Sequence, residues 1–355
     1  MRHCNNAISA LLIAAAFLLP AQKTPTQEVP SGSPGQAPSL TVDRDPVRAP
    51  AGPGPSAPQS NVEKEHGGYV LRTDVEEVSL NCTVLDSSGR LVQDLTQSNF
   101  QVLEDGVKQN IISFQHTDTP VSIGMVIDNS GSMSRKRPAV NKSALDLIEA
   151  SNPQDEAFVV NFSDEAFIDQ DFTSDVNKLR DGLAHVESRG GTALYDAVVA
   201  SADKLAADAR RPKQVLIIIT DGEDNASTLD LEQTIRRVQA LSGPEIYTIG
   251  LLFGDEMSRA EQRHAHRALE MLSTETGGMA FFPRSMEQVD DIAAEVARDI
   301  RSQYTIGYRS TKPMSVPGFR RIEVVAENGH KLNVRARTGY FPSPNRPRHS
   351  NRASN

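Results

Sequence analysis

The chain has only two cysteines in 355 residues, Cys4 and Cys82. No His or Cys residues fall at the spacing of a structural zinc or iron–sulfur site. Two cysteines allow at most one disulfide, which excludes a disulfide-stapled scaffold, so the folded part must rest on core packing, which its size allows. Also missing are a Gly-rich phosphate loop and a nucleophile paired with a base. Beyond residue 21 no apolar run is long enough to span a bilayer, which takes roughly 20 residues. Residues 23–68 contain almost no large apolar side chains. These absences leave a chain with one exported-type leader, a linker and a globular body, and little that resembles catalytic machinery.

The leader is Met1 to Ala21. Arg2 and His3 precede the apolar run Ala7 to Leu19, and Pro20-Ala21 supplies a cleavage position. That pattern is expected of a secretory signal, and the run is too short for a membrane anchor. Cys4 precedes the apolar run, so it is not at a lipoprotein cleavage site; Cys82 then reads as a small buried hydrophobe. Residues 22–68, rich in Pro, Ser, Gly and Ala, cannot offset their ordering entropy by burial and read as a disordered linker. The predicted location is outside the cytoplasm, periplasmic or extracellular.

Net charge is −9 but unevenly placed. Residues 301–355 carry eleven Lys or Arg against Glu323 and Glu327, a net +9, leaving −18 for the rest. A basic end can bind nucleic acid. Here the arginines alternate along strands or lie in a polar tail (343–355), and the leader argues export, so no nucleic-acid partner is expected.

Between the ends two rhythms alternate. Residues 69–117 show period-two patterning with turns at Asp86-Ser87-Ser88-Gly89 and Glu104-Asp105-Gly106, giving about four strands. From Val121 the pattern changes to short, wholly apolar strands separated by helical spacing, through to Arg301. That is the mark of a mostly parallel sheet covered by helices on both faces. After Gln303 period two returns for three strands: Tyr304 to Tyr308, Phe319 to Val325 and Leu332 to Ala336. Neither β segment suffices alone. The expected architecture is one small all-β sandwich made from 69–117 and 303–342, with a six-stranded doubly wound α/β domain (118–302) inserted in it. Two separate β modules are the alternative; they would expose unpaired edges.

The chemistry concentrates in three separated segments: Asp128-Asn129-Ser130-Gly131-Ser132, Gly190-Gly191-Thr192 and Thr220-Asp221-Gly222. Asp128 and Asp221 each follow a two-sided strand, and open α/β sheets bind ligands beyond the carboxyl ends of their strands. Asp128, Ser130, Ser132, Thr192 and Asp221 together supply two carboxylates and three hydroxyls. Hard oxygen donors suit Mg²⁺ first, with Mn²⁺ and Ca²⁺ as alternatives. Two carboxylates leave the ion with positive character, which an Asp or Glu of a protein partner can satisfy.

This Asp-x-Ser-x-Ser string with Thr192 and Asp221, together with Phe158 to Ser163, Gly190 to Leu194 and Leu216 to Gly222, resembles the metal-ion-dependent adhesion site of von Willebrand factor type A domains. The resemblance covers about Pro120 to Ser302. It implies the strand order 3-2-1-4-5-6, direct coordination by the hydroxyls and a looser, partly water-mediated role for the aspartates. The flanks Val84 to Phe114, Gly307-Tyr308 and Gly339 to Pro342 are similar to exported Acidobacterial proteins related to that family. The implied role is a metal-dependent protein-binding or adhesion module and not an enzyme.

Two rival functions share parts of this pattern. A Mg²⁺-dependent phosphatase wants a second carboxylate where Ser130 stands and a lysine near Asp221-Gly222-Glu223-Asp224, where none lies in sequence. A scaffold of an envelope assembly would carry the metal incidentally. Glu223, Asp224 and Asn225 read as solvated, as do Asp164, Glu165, Asp169 and Asp171. His264 and His266 point away from each other on a helix, and His185 reads as a surface residue.

Overall fold

The structure is a computed structural model, and it describes residues 64–65, 68–69, 77–184, 188–241, 243–253 and 257–342. The expected leader, most of the linker, His185 and the basic tail lie outside the described residues. Where the expected linker meets the first β segment, Lys64–Glu65 and Gly68–Tyr69 pair antiparallel, so the last residues of the stretch expected to be disordered take part in a strand pair. Among the described residues no helix is long and apolar enough to cross a membrane.

Before the α/β body come β1 (Glu77–Leu85), β2 (Phe100–Glu104), β3 (Val107–Lys108) and β4 (Asn110–Gln115). After it come β11 (Tyr304–Arg309), β12 (Arg320–Ala326), β13 (Asn333–Arg335) and β14 (Gly339–Tyr340). They form two four-stranded antiparallel sheets, ordered β13-β1-β11-β4 and β14-β12-β2-β3. Every sheet therefore draws strands from both sides of the insertion. Val78, Leu80 and Cys82 of β1 share one buried cluster with Phe100, Tyr304, Tyr308, Ile322 and Tyr340. The strand Gly339–Tyr340 was not expected: at two residues it is too short to show a period of two.

The chain leaves this sandwich after Gln115 and returns at Tyr304, and Gln115 pairs with Thr305 across β4 and β11. The ends of the insertion are thus neighbours, as an inserted domain requires.

The inserted body holds β5 (Val121–Asp128), α1 (Arg137–Glu149), β6 (Glu156–Phe162), β7 (Ala166–Thr173), α2 (Val176–Ala184), α3 (Leu194–Asp208), β8 (Lys213–Thr220), α4 (Leu231–Leu241), β9 (Glu245–Gly250), α5 (Arg259–Thr276), β10 (Ala280–Phe281) and α6 (Val289–Arg301). Its sheet runs β10-β9-β8-β5-β6-β7, with only β7 antiparallel to its neighbour. Counted within the domain, this is the order 3-2-1-4-5-6 that the resemblance implied.

All eight residues of β5 are buried, because helices cover both faces. Ile123, Met125 and Ile127 pack with α1, α2 and α6, while Val126 packs with α3, α4 and α5. Gly124 lies where a Cβ would come within 2.5 Å of Leu216 Cδ2 and 2.6 Å of Phe158 Cζ. Only glycine lets these large neighbours close over the central strand. α5 starts at a capping box in which the Ser258 N–H donates to Glu261 Oε2 at 2.7 Å and the Glu261 N–H to Ser258 Oγ at 3.3 Å, satisfying two helix-terminal donors.

The α/β body is tied to the sandwich at the end opposite the strand carboxyl termini. The Asp299 carboxylate of α6 accepts the Tyr247 hydroxyl at 2.6 Å and pairs with Arg335 of β13. Buried beside them, Gln303 Nε2 donates to Glu245 Oε2 at 2.8 Å.

Candidate metal centre

β5 and β8 are parallel neighbours with Ile127 opposite Ile219, so the turns that follow them rise at one rim. Asp128, the last residue of β5, is fully buried. Its Oδ1 accepts the Ser130 N–H at 2.7 Å, and its Oδ2 accepts the Thr220 hydroxyl at 2.5 Å. Burial pushes the Asp128 carboxyl up to about 6, against the lowering pull of those hydrogen bonds. Removing an anion from water favours its protonated form, and donors recover part of that loss.

Asp128 thereby fixes the turn that carries the serines. Ser130 Oγ lies 3.1 Å from Ser132 Oγ. Ser132 Oγ donates to Asp221 Oδ1 at 2.8 Å, closing a link across 89 residues of sequence. The second oxygen of Asp221 receives Lys136 Nζ at 2.5 Å.

Thr192 reaches this rim on a loop held at every step. The Arg189 N–H donates to the Asn129 carbonyl at 3.0 Å, Gly191 N–H to Asp164 Oδ1 at 2.7 Å, and Thr192 N–H to Asn225 Oδ1 at 2.9 Å. Gly190 has φ of 80°, and a Cβ there would sit 2.2 Å from Asp164 Oδ2. A left-handed backbone packed this closely admits only glycine. On the far side, a Cβ placed on Gly222 would come 3.3 Å from Thr192 Oγ1, so the threonine hydroxyl abuts the Asp221-Gly222 turn.

Ser132, Thr192 and Asp221 line one open pocket of about 340 Å³, together with Lys136, Glu223 and Phe253. Asp128 and Ser130 do not line it. Ser130 lies one hydrogen bond behind it, touching Ser132, and Asp128 lies a second hydrogen bond behind, bracing Ser130. Among the described residues no group of three or more His, Cys, Asp or Glu side chains is placed to hold an ion. The site is instead two carboxylates and three hydroxyls, and that all-oxygen donor set fits a small hard divalent cation.

Several readings from sequence need correction. Asp224 and Asn225 are not simply solvated. Asp224 Oδ2 accepts the Tyr195 N–H at 3.0 Å at the start of α3, and Asn225 orients the Thr192 peptide. Asp164 likewise anchors Gly191, and Asp169 accepts from Asn161 Nδ2 at 2.6 Å. His264 and His266 do face different ways, as expected: His264 meets Glu223, and His266 stacks on Phe282 with centroids 3.7 Å apart. A lysine does stand beside Asp221: Lys136 comes from the start of α1, a proximity that only the fold creates. Arg137 was also missed. It is buried, its Nη2 donates to Asn161 Oδ1 at 2.7 Å, and burial lowers its guanidinium to about 10 while Asp128 and Asp169 oppose that shift. No periodicity marks either residue; a Lys-Arg pair at a helix start reads as solvated.

The sequence model of the von Willebrand factor type A domain matches residues 122–295. Among curated proteins the chain is similar to inter-alpha-trypsin inhibitor heavy chain H4 of Homo sapiens, 27% identical over 236 residues, which cover 61% of this chain and 23% of that protein. The chain thus spans about a quarter of the length of the curated relatives it matches. Among solved structures it is similar to a von Willebrand factor type A protein from Catenulispora acidiphila, at 14% identity and a TM-score of 0.44 over 74% of this chain and 73% of that one. It is also similar to the vWF domain of the type V pili tip protein Mfa5 from Porphyromonas gingivalis, at 15% identity and a TM-score of 0.40 over 52% of this chain and 97% of that one. The strand order, the rim of oxygen donors and the matched segment agree: residues 122–295 of this chain form a von Willebrand factor type A domain.

Proposed function

We propose that this chain is an exported protein-binding module that recognises a partner through a divalent cation, Mg²⁺ first among the candidates. Asp128, Ser130, Ser132, Thr192 and Asp221 would hold the ion, and the ion would supply an electrophilic point for an Asp or Glu carboxylate of a protein ligand. The observation that carries this reading is the convergence of Ser132, Thr192 and Asp221 on one pocket from three loops, with Ser132 hydrogen-bonded to Asp221 at 2.8 Å.

The chain's own residues do the positioning. Thr220 and Ser130 fix Asp128, Asp128 fixes the serine turn, and Asn225 with Asp164 fixes the threonine loop. This bracing fixes the loops in advance, while Lys136 must leave Asp221 Oδ2 for a cation to take that oxygen. Ser130 stands where a phosphoryl-transfer enzyme would want its second carboxylate, which favours recognition without chemistry. Incubating the purified protein with an envelope extract, with and without chelator, tests the proposal. The same partner should be retained with Mg²⁺ and lost with chelator; identical retention in both would reject metal-dependent recognition.

A further inference from the structure

Beside the candidate metal pocket, and sharing Leu252, Phe253 and Gln262 with it, lies a second groove of about 680 Å³. Its apolar part is Phe253 and Phe282-Pro283, with the His266 ring stacked on Phe282. Its charged part is Arg263 and Arg267 from α5 and Arg284 from the segment after β10, all three exposed. Among the described residues none of these guanidiniums has a carboxylate partner. The acid on the groove is Glu270, which faces His266 at 3.7 Å.

Arg263 and Arg267 are four apart on one helix, where like charges repel. An anion lying between them would relieve that repulsion. Guanidinium forks bind carboxylates in bidentate fashion, and they stack on aromatic rings as well. The groove is concave and counts Phe253, Phe282 and the His266 ring among its lining, features that suit an extended peptide better than a flat anionic surface. It is also continuous with the candidate metal pocket through Leu252, Phe253 and Gln262.

We propose that this groove docks an acidic segment bearing aromatic side chains, contributed by the same protein partner whose carboxylate meets the cation. The assignment rests on the metal-dependent reading for its anchor, while the arginine groove supplies the flanking recognition. Arg263, Arg267 and Arg284 would pair with Asp or Glu side chains, and Phe253 and Phe282 would cover the aromatic ones.

The test uses the whole chain and a fluorescein-labelled decapeptide of alternating Glu and Phe, followed by fluorescence anisotropy in Mg²⁺ and in chelator. A peptide with Gln for Glu and a dT oligonucleotide of equal charge serve as comparisons. The Arg263→Gln/Arg267→Gln protein should bind the acidic peptide at least about tenfold more weakly, with its Mg²⁺ affinity and circular dichroism unchanged. The Gln peptide should bind as poorly. Absence of binding to the acidic peptide, or binding insensitive to both arginines, overturns the groove; if that binding still needs Mg²⁺, the metal reading survives alone. Binding that depends on the arginines but persists in chelator keeps the groove and removes the metal reading. Equal or tighter binding of dT overturns the proposal in favour of a general polyanion surface.

Discussion

Lys136 Nζ sits 2.5 Å from Asp221 Oδ2, with the carboxylate wholly shielded from solvent. A tethered ammonium thus addresses the same carboxylate that the proposed cation would use. Two cations cannot both lie against one oxygen without repulsion, and that repulsion is strong where water is excluded. Lys136→Met should therefore tighten Mg²⁺ binding by about tenfold, read by titration calorimetry. Unchanged or weaker binding would show that the lysine does not compete for Asp221.

Asn225 accepts the Thr192 N–H at 2.9 Å and donates its own backbone N–H to the Thr192 carbonyl at 3.0 Å. Truncating the side chain strands a partly buried donor, at a cost of about 1–3 kcal/mol. Asn225→Ala should lower urea stability by that amount and weaken Mg²⁺ binding. Asn225→Asp, which keeps the acceptor, should restore most of the stability.

Asp299 and Arg335 form a largely buried ion pair that joins α6 to β13, and Asp299 also accepts from Tyr247. Removing one partner leaves the other charge shielded and unpaired. Arg335→Met is expected to destabilise the folded chain by roughly 3 kcal/mol, measured by equilibrium unfolding. A loss within a few tenths would mean that water reaches the pair.

The Cys82 thiol is wholly buried in β1, and burial, with Glu245 adding to it, pushes its pKa far above the ordinary thiol range. Only the thiolate is an effective nucleophile. The tryptic peptide carrying Cys82 should stay unmodified by iodoacetamide in native protein at pH 8 and be fully modified in urea. Modification of the native protein within minutes would contradict this packing.

The proposed absence of catalysis is open to a direct check as well. No release from a generic phosphate ester in Mg²⁺ is expected, even with Lys136 next to Asp221. Turnover that vanishes in Asp128→Asn would make the chain a phosphatase.

The sequence speaks clearly where a regular rule acts on many residues at once. Val121 to Ile127 is apolar on both faces, so its place in the middle of a covered sheet was legible, and so were the rim positions of Asp128 and Asp221. The same holds for the return to period two after Gln303, which implied strands shared across the insertion. What stayed hidden depends on single contacts between distant segments. Lys136 meets Asp221 only because α1 begins over the end of β8, and Asn225 meets Thr192 only because the loops after β8 and before α3 converge. Neither contact leaves a periodic trace. The strand at Tyr340 was hidden for a different reason: two residues cannot display an alternation, yet the fold buries its ring in the same cluster as Ile322.

One ion shared by side chains from three loops is the central proposal, and titration calorimetry with Mg²⁺ asks this directly. The unaltered chain should show a single site, and Ser130→Ala/Ser132→Ala should abolish it while the circular dichroism spectrum is retained. An isotherm that is the same for both proteins would contradict the account.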